Sequence, residues 1–307
     1  MQTKLHRNRA VATVLCLAAL VLGACNTSSA GAHPPTTGGS TGGSTGGSST
    51  SSSSSTTAPK PSTTTTTTSP MQRPMQQPTA QHPLTILEIG DSLGEDLGFG
   101  LGDDIFASDP YVHVIQAAVG DTGLARPDYY NWPAHLESEL HSDHPGAVIV
   151  FIGGNDGQSF DVNGGYVGFG TGLWHRTYAA RVALMMKECL AAKARVLWVG
   201  MPIMQDPTFA GVMQELNGIY RGQAVRHPGA TYFASWPVFA TPQGAYTESV
   251  VVNGQTELLR DPDGIHIANY GGDLLASSLM APMEAAWDIR LFPPRKQPAP
   301  LPGPGTL

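Results

Sequence analysis

The feature that most constrains the fold is a series of short apolar segments at Leu84–Ile89, Val112–Val119, Ala147–Ile152, Arg195–Met201 and Thr231–Phe239. All but the last are rich in Val, Ile and Leu with little polar alternation, the pattern of strands buried on both faces. Such strands need helices above and below them, and helical patterns lie between the runs. Pro133–His141 is short, and Trp174–Lys193 is long and amphipathic. Asp206-Pro207 places a capping carboxylate before a proline at the first helical position. Phe209, Val212, Met213, Leu216 and Tyr220 then fall on one helical face. A last helix is predicted over Tyr270–Ile289, with Pro282 kinking it. Val250–Val252 and Gln255–Leu258 flank Asn253-Gly254, which predicts a small hairpin with a type I′ turn. The expected fold class is α/β: three layers, α/β/α, around a doubly wound parallel five-stranded sheet.

The flanks of this domain read differently. Lys4, Arg7 and Arg9 precede an apolar run from Ala10 to Val21, followed by Leu22-Gly23-Ala24-Cys25. Basic, then apolar, then small is the layout of a secretory signal. The run is shorter than the roughly 20 apolar residues that span a bilayer. Its end resembles the lipobox of bacterial lipoproteins, whose cysteine is lipidated and becomes the new N-terminus. Residues 1–24 are therefore expected to be a lipoprotein signal peptide and Cys25 a lipid anchor. The protein is expected to be exported and held at the outer face of the membrane. Ordinary signal cleavage beside an incidental Cys25 is the alternative. Residues 25–81 are mostly Ser, Thr, Gly and Pro, and cannot bury enough apolar surface to offset chain entropy. They read as a disordered tether; as a random coil, ~55 such residues span about 40 Å. The Pro-rich tail, 293–307, reads as disordered as well. One domain remains, 82–292, long enough for a single core.

Cysteine use agrees with this division. Cys16 falls in the signal and Cys25 at the anchor, so Cys189 alone lies in the domain, which can form no internal disulfide. Cys189 follows Tyr178, Val182 and Met185 at helical spacing and reads as core. The formal net charge is −7, and no basic stripe favours nucleic acid as a partner.

In a parallel sheet of this kind, ligands bind beyond the carboxyl ends of the strands. Gly90-Asp91-Ser92-Leu93 follows the first strand and sets Ser92 at a helix start, where negative charge is favoured. Gly120-Asp121-Thr122-Gly123 follows the second, and its glycines let a backbone N–H face a site. Gly153-Gly154-Asn155-Asp156 follows the third, where an amide side chain reaches over a reacting carbonyl. Asp263-Gly264-Ile265-His266 precedes the last helix, where a carboxylate three residues before an imidazole can hold its Nδ1–H and leave Nε2 as a base. Each segment also has a plain reading: a helix cap at Ser92 or Asp91, turns at the glycines and at Asn155, and a solvent-facing His266.

Taken together, these segments resemble the blocks of the SGNH (GDSL-type) hydrolase superfamily, over Ile86 to about Leu275. The resemblance implies the SGNH/flavodoxin-like form of the α/β fold and a serine esterase, with Ser92 as nucleophile, His266 as base and Asp263 orienting it. Asn155 and the N–H of Ser92 would hold the oxyanion with a glycine. That glycine is Gly120 by the Gly-Asp-Thr match. Thr122-Gly123-Leu124-Ala125-Arg126-Pro127-Asp128 also resembles a less characterised exported bacterial branch, in which the matching glycine is Gly123. No metal or organic cofactor is implied.

Other residues carry two readings each. Gln158–Leu173, with Phe160, Tyr166 and Phe169, is either a wall of the site or a surface excursion. Arg126 and Trp132 are either substrate contacts or structural. His113, within the second strand, reads as a packed or edge residue. An exported, anchored enzyme is expected to meet short acyl esters, such as O-acetyl groups on envelope or extracellular glycans. A lipase, an acyltransferase using the same residues, and a non-catalytic envelope binding module are the alternatives.

Overall fold

The computed structural model describes residues 74–107 and 109–291. The expected signal peptide, the Cys25 anchor, most of the expected tether and the 293–307 tail lie outside the described residues. Within them the chain alternates strand and helix. β1 (Leu84–Gly90) leads into α1 (Ser92–Phe99), which continues as a π-helical turn over Gly100–Ile105. β2 (Val112–Gln116), α2 (Trp132–Asp143) and β3 (Ala147–Phe151) follow. A small hairpin of β4 (Phe160–Val162) and β5 (Gly165–Val167) precedes α3 (Gly172–Ala191) and β6 (Arg195–Val199). Next come α4 (Pro207–Arg226), β7 (Ala230–Phe233) and a 3₁₀ turn over Trp236–Phe239. β8 (Ser249–Val252), β9 (Gln255–Leu258) and α5 (Asn269–Trp287) complete the fold.

The main sheet has the order β2-β1-β3-β6-β7, and every pair in it is parallel. All five residues of β3 are buried, as its unbroken apolar run requires. α1 packs with α5, while α3 packs with both α2 and α4. Burying each Leu, Ile or Val side chain of this core contributes about 1.5–3 kcal/mol. The chain reverses its direction of winding between β1 and β3, the place where α/β sheets of this order hold ligands. Among the described residues, no helix is long and apolar enough to cross a membrane.

The caps explain several boundaries. Asp206 accepts the N–H of Phe209, with Pro207 at the first helical position, as expected. Asn131 and Thr171 cap α2 and α3 in the same way. Asn253 and Gly254 both have positive φ, as a type I′ turn demands. Pro282 lies inside α5 without ending it.

Three expectations are corrected. The second strand ends as a regular element at Gln116, although Ala117 and Val119 still donate to the carbonyls of Glu88 and Gly90 in β1. The fifth strand ends at Phe233, because Pro237 shapes a 3₁₀ turn instead. The expected tether, 25–81, is too long at its C-terminal end: residues 74–81 belong with the domain. Met75 packs against the core, and the side chain of Gln77 bonds both Asp288 and Arg290.

Candidate active site

The site is assembled from three strand-end loops and the segment before α5. Asp91 is the cap of α1: its Oδ1 accepts the N–H of Leu93 at 3.0 Å. Its Oδ2 accepts the N–H groups of Gly153 and Gly154 at 2.8 and 2.6 Å. One buried carboxylate thus joins the Ser92 block to the Asn155 block. Burial raises the Asp91 carboxyl, and the three N–H groups pull it back only as far as about 7. Gly153 is held at φ +143°, and a Cβ there would meet the Tyr220 hydroxyl at 2.3 Å.

Ser92, the first residue of α1, is partly buried, and its Oγ lies 3.0 Å from His266 Nε2. His266 Nδ1 lies 2.6 Å from Asp263 Oδ2, while Asp263 Oδ1 accepts the N–H groups of Ile265 and His266. With its Nδ1–H on the carboxylate, the ring turns the Nε2 lone pair toward the serine. Burial lowers the basicity of His266, but the bond to Asp263 and the charges of Asp263, Asp96 and Asp261 outweigh it, so the imidazole stands above 6.5. Asp263 stands below its ordinary value, since its bonds to His266 and Ile265 outweigh its own desolvation. Asp96, one turn after Ser92 on α1, accepts the N–H of Ile267 and docks the histidine segment on that helix.

Asn155 Nδ2 donates to the Thr122 carbonyl at 2.9 Å, which orients the amide; its second N–H has no partner among the described residues. The two glycines differ. The N–H of Gly120 donates to Glu95 Oε1 at 3.0 Å. Gly123 is buried, and its N–H has no hydrogen-bond partner among the described residues. Among the described residues, then, the N–H of Gly120 is spent on Glu95 and that of Gly123 is not spent. Asp156, next to Asn155, accepts the N–H groups of Leu124 and Ala125 and the Tyr178 hydroxyl, which fixes the Gly123 loop.

The remaining candidates separate cleanly. Trp132 is fully buried and donates to Thr122 Oγ1, so it is structural. Arg126 forms an exposed two-pronged pair with Asp128. His113 is exposed on β2, the edge strand of the sheet. Cys189 is buried, and burial pushes its thiol well up. In the Gln158–Leu173 loop, Phe160 and Phe169 pack on Trp174, whereas Tyr166 is 77 % exposed. Among the described residues, no group of three or more His, Cys, Asp or Glu side chains is placed to hold a metal ion. Sequence reasoning missed Asp96, Asp156 and Arg260, and read Asp91 as a helix cap, which it is, but not as the link to the Asn155 loop. Asp91 and Asp156 sit inside the quoted motifs, so their position was a usable clue; Asp96 and Arg260 had none.

The fold is a doubly wound parallel α/β sheet that brings Ser92, Asn155 and the Asp263–His266 pair to its loop ends. The chain belongs to the family described as "Protein of unknown function (DUF459)", whose model matches residues 85–282. No curated protein matches the sequence. Similar solved structures include the psychrotrophic esterase EstA from Pseudoalteromonas sp. (15% identity, TM-score 0.44, 66% of this chain and 98% of that one). LAE5, an alpha/beta hydrolase enzyme from the metagenome of Lake Arreo, Spain, is 15% identical, with TM-score 0.47 over 67% of this chain and 96% of its own. An acetylxylan esterase from Geobacillus stearothermophilus is 13% identical, with TM-score 0.45 over 65% and 94%.

Proposed function

We propose that the protein is a serine ester hydrolase acting on short acyl esters, with O-acetyl groups on envelope or extracellular glycans as the substrate class. The observation that carries this reading is the chain of contacts Ser92 Oγ–His266 Nε2, 3.0 Å, and His266 Nδ1–Asp263, 2.6 Å, at the start of a helix. Ser92 Oγ attacks the ester carbonyl carbon as Nε2 takes its proton. The carbonyl oxygen, now negative, is held by the N–H groups of Ser92 and Gly123 and the second amide N–H of Asn155. The bond to the alcohol breaks, Nε2 returns the proton to the leaving oxygen, and Ser92 is left acylated. Water then attacks the acyl carbon with His266 again as base, which frees the acid and restores the serine.

Tyr129 lies on the loop after β2 and Tyr166 in β5 of the hairpin that follows β3; they are 64 % and 77 % exposed. Flat amphipathic rings exposed on the segments that follow the Gly120 and Asn155 blocks suit a sugar ring, which has apolar faces and hydroxyl edges. The setting proposed for this chemistry is the cell envelope, with Cys25 as lipid anchor; the order of charges, apolar run and cysteine in residues 1–25 supports it.

The test is labelling by a fluorophosphonate probe, with turnover of p-nitrophenyl acetate and release of acetate from acetylated xylan oligomers. Labelling and turnover that vanish in Ser92→Ala are expected; a Ser92→Ala variant with full turnover refutes the reading. Tyr166→Ala should raise KM for the glycan and leave p-nitrophenyl acetate unchanged. Equal effects on the two substrates would remove the glycan from the proposal.

A further inference from the structure

Arg260 is fully buried, and its guanidinium is solvated by main-chain carbonyls. Nη1 donates to the Ile203 carbonyl, in the loop after β6. Nη2 donates to the carbonyl of Ile265 and lies 3.5 Å from that of Gly264 and 3.3 Å from Met204 Sδ. Nε donates to the His266 carbonyl at 3.2 Å. The rings of Phe239 and Tyr246 lie 5.2 and 5.6 Å from the guanidinium carbon. Among the described residues, Arg260 forms no ion pair with a carboxylate. Burial lowers it to about 10, so it stays charged at neutral pH.

Burying a guanidinium is costly unless its donors are met. Here they are met by three successive carbonyls, 264, 265 and 266, of the segment that carries Asp263 and His266, and by one carbonyl of a different loop. Main-chain bonds hold the same segment to its own neighbours, with Asp261 donating to the His266 carbonyl and Ala268 to that of Leu259, while Gln205 donates to the Gly264 carbonyl and Ile267 to Asp96. Among the side chains, Arg260 reaches both this segment and the loop after β6. Gly264 is at φ +71°, with Gln205 packed where a Cβ would stand.

We propose that Arg260 is a positioning residue for catalysis: its planar fork locks the Asp263–His266 segment onto the loop after β6 and so sets His266 against Ser92. The inference rests on the reading of Ser92 and His266 given above. A lysine keeps the charge, but a single ammonium cannot bridge the two loops as the fork does. A misplacement of about 1 Å at such a site costs roughly 100-fold in rate.

The test compares Arg260→Lys and Arg260→Met with the parent enzyme. Thermal melting, kcat and KM for p-nitrophenyl acetate, and the NMR titration of His266 are measured on each. Arg260→Lys should stay folded, lose about 10- to 100-fold in kcat at nearly unchanged KM, and titrate His266 lower as the Asp263 contact loosens. A folded Arg260→Lys with kcat within twofold of the parent and an unshifted His266 overturns the proposal. So does unfolding of both variants, which would make Arg260 a residue of the core alone. The NMR arm needs no turnover, so absence of esterase activity in the parent would fail the functional reading while the positioning role is still decided.

Discussion

The Asp91 carboxylate accepts the backbone N–H of Gly154 at 2.6 Å, across 63 positions of sequence. The Ser92 loop and the Asn155 loop are thus held by one side chain. Asp91→Ala would strand the N–H groups of Leu93, Gly153 and Gly154, and each buried donor left unpaired costs about 1–3 kcal/mol. The variant should melt lower and lose kcat more than KM; Asp91→Asn, which keeps an acceptor oxygen, should fall between it and the parent. Calorimetry beside steady-state kinetics checks this. An alanine variant as stable and active as the parent would show that the clasp is idle.

Asn155 has one amide hydrogen spent on Thr122 and one to give. Asn155→Ala should reduce kcat by on the order of 10² to 10³, the usual loss for an oxyanion donor. A loss below tenfold, measured with p-nitrophenyl acetate, would remove it from that role.

The base must be neutral to take the serine proton. His266 stands above 6.5 because Asp263 and the nearby carboxylates outweigh its burial. Activity should therefore rise with pH through a midpoint above 6.5, and Asp263→Asn should move that midpoint down. A pH–rate profile of kcat/KM reads both; a limb that ignores Asp263→Asn would mean that another group controls it.

Glu88 is fully buried in β1 beneath α1, and neither carboxylate oxygen finds a partner among the described residues. Burial, then the charges of Asp91 and Glu95, push it well up. The folded state therefore binds a proton that the unfolded chain releases near pH 4.5, so stability falls as pH rises from that value toward the folded one. Asp91, raised to about 7, adds to the same slope. Glu88→Gln should lessen the drop in melting temperature between pH 5 and pH 8 without abolishing it. An unchanged slope in calorimetric scans would exclude Glu88 as its source.

The fold was legible where burial wrote continuously on the sequence. Ala147–Phe151 is unbroken and lies wholly inside, and Asp206-Pro207 starts a helix where a cap and a fixed φ agree. Ser92, Asn155, Asp263 and His266 could be named because motif spacing survives without coordinates. The choice between Gly120 and Gly123 could not be made, since it turns on whether Glu95, 25 positions away, takes one N–H. Arg260 was equally hidden: nothing local distinguishes a surface arginine from one satisfied by the carbonyls of Ile203 and Ile265. The π-helical turn after α1 and the β4–β5 hairpin lacked a periodicity long enough to read.

The Gln77 clasp has a mechanical consequence. Its amide joins residue 77 to Asp288 and Arg290, while Met75 shares a cavity with Leu84, Gly146 and Arg195, where β1, β3 and β6 begin. The segment before β1 and the segment after α5 therefore meet at the end of the sheet where its strands begin. Tension applied through the two ends would load that clasp and the shallow packing of Met75 first. The loops that hold Ser92 and His266 lie at the opposite, carboxyl ends of the strands, off the path of that load, so the domain can be pulled, fused or fixed to a surface through those segments with the Ser92–His266 face still free.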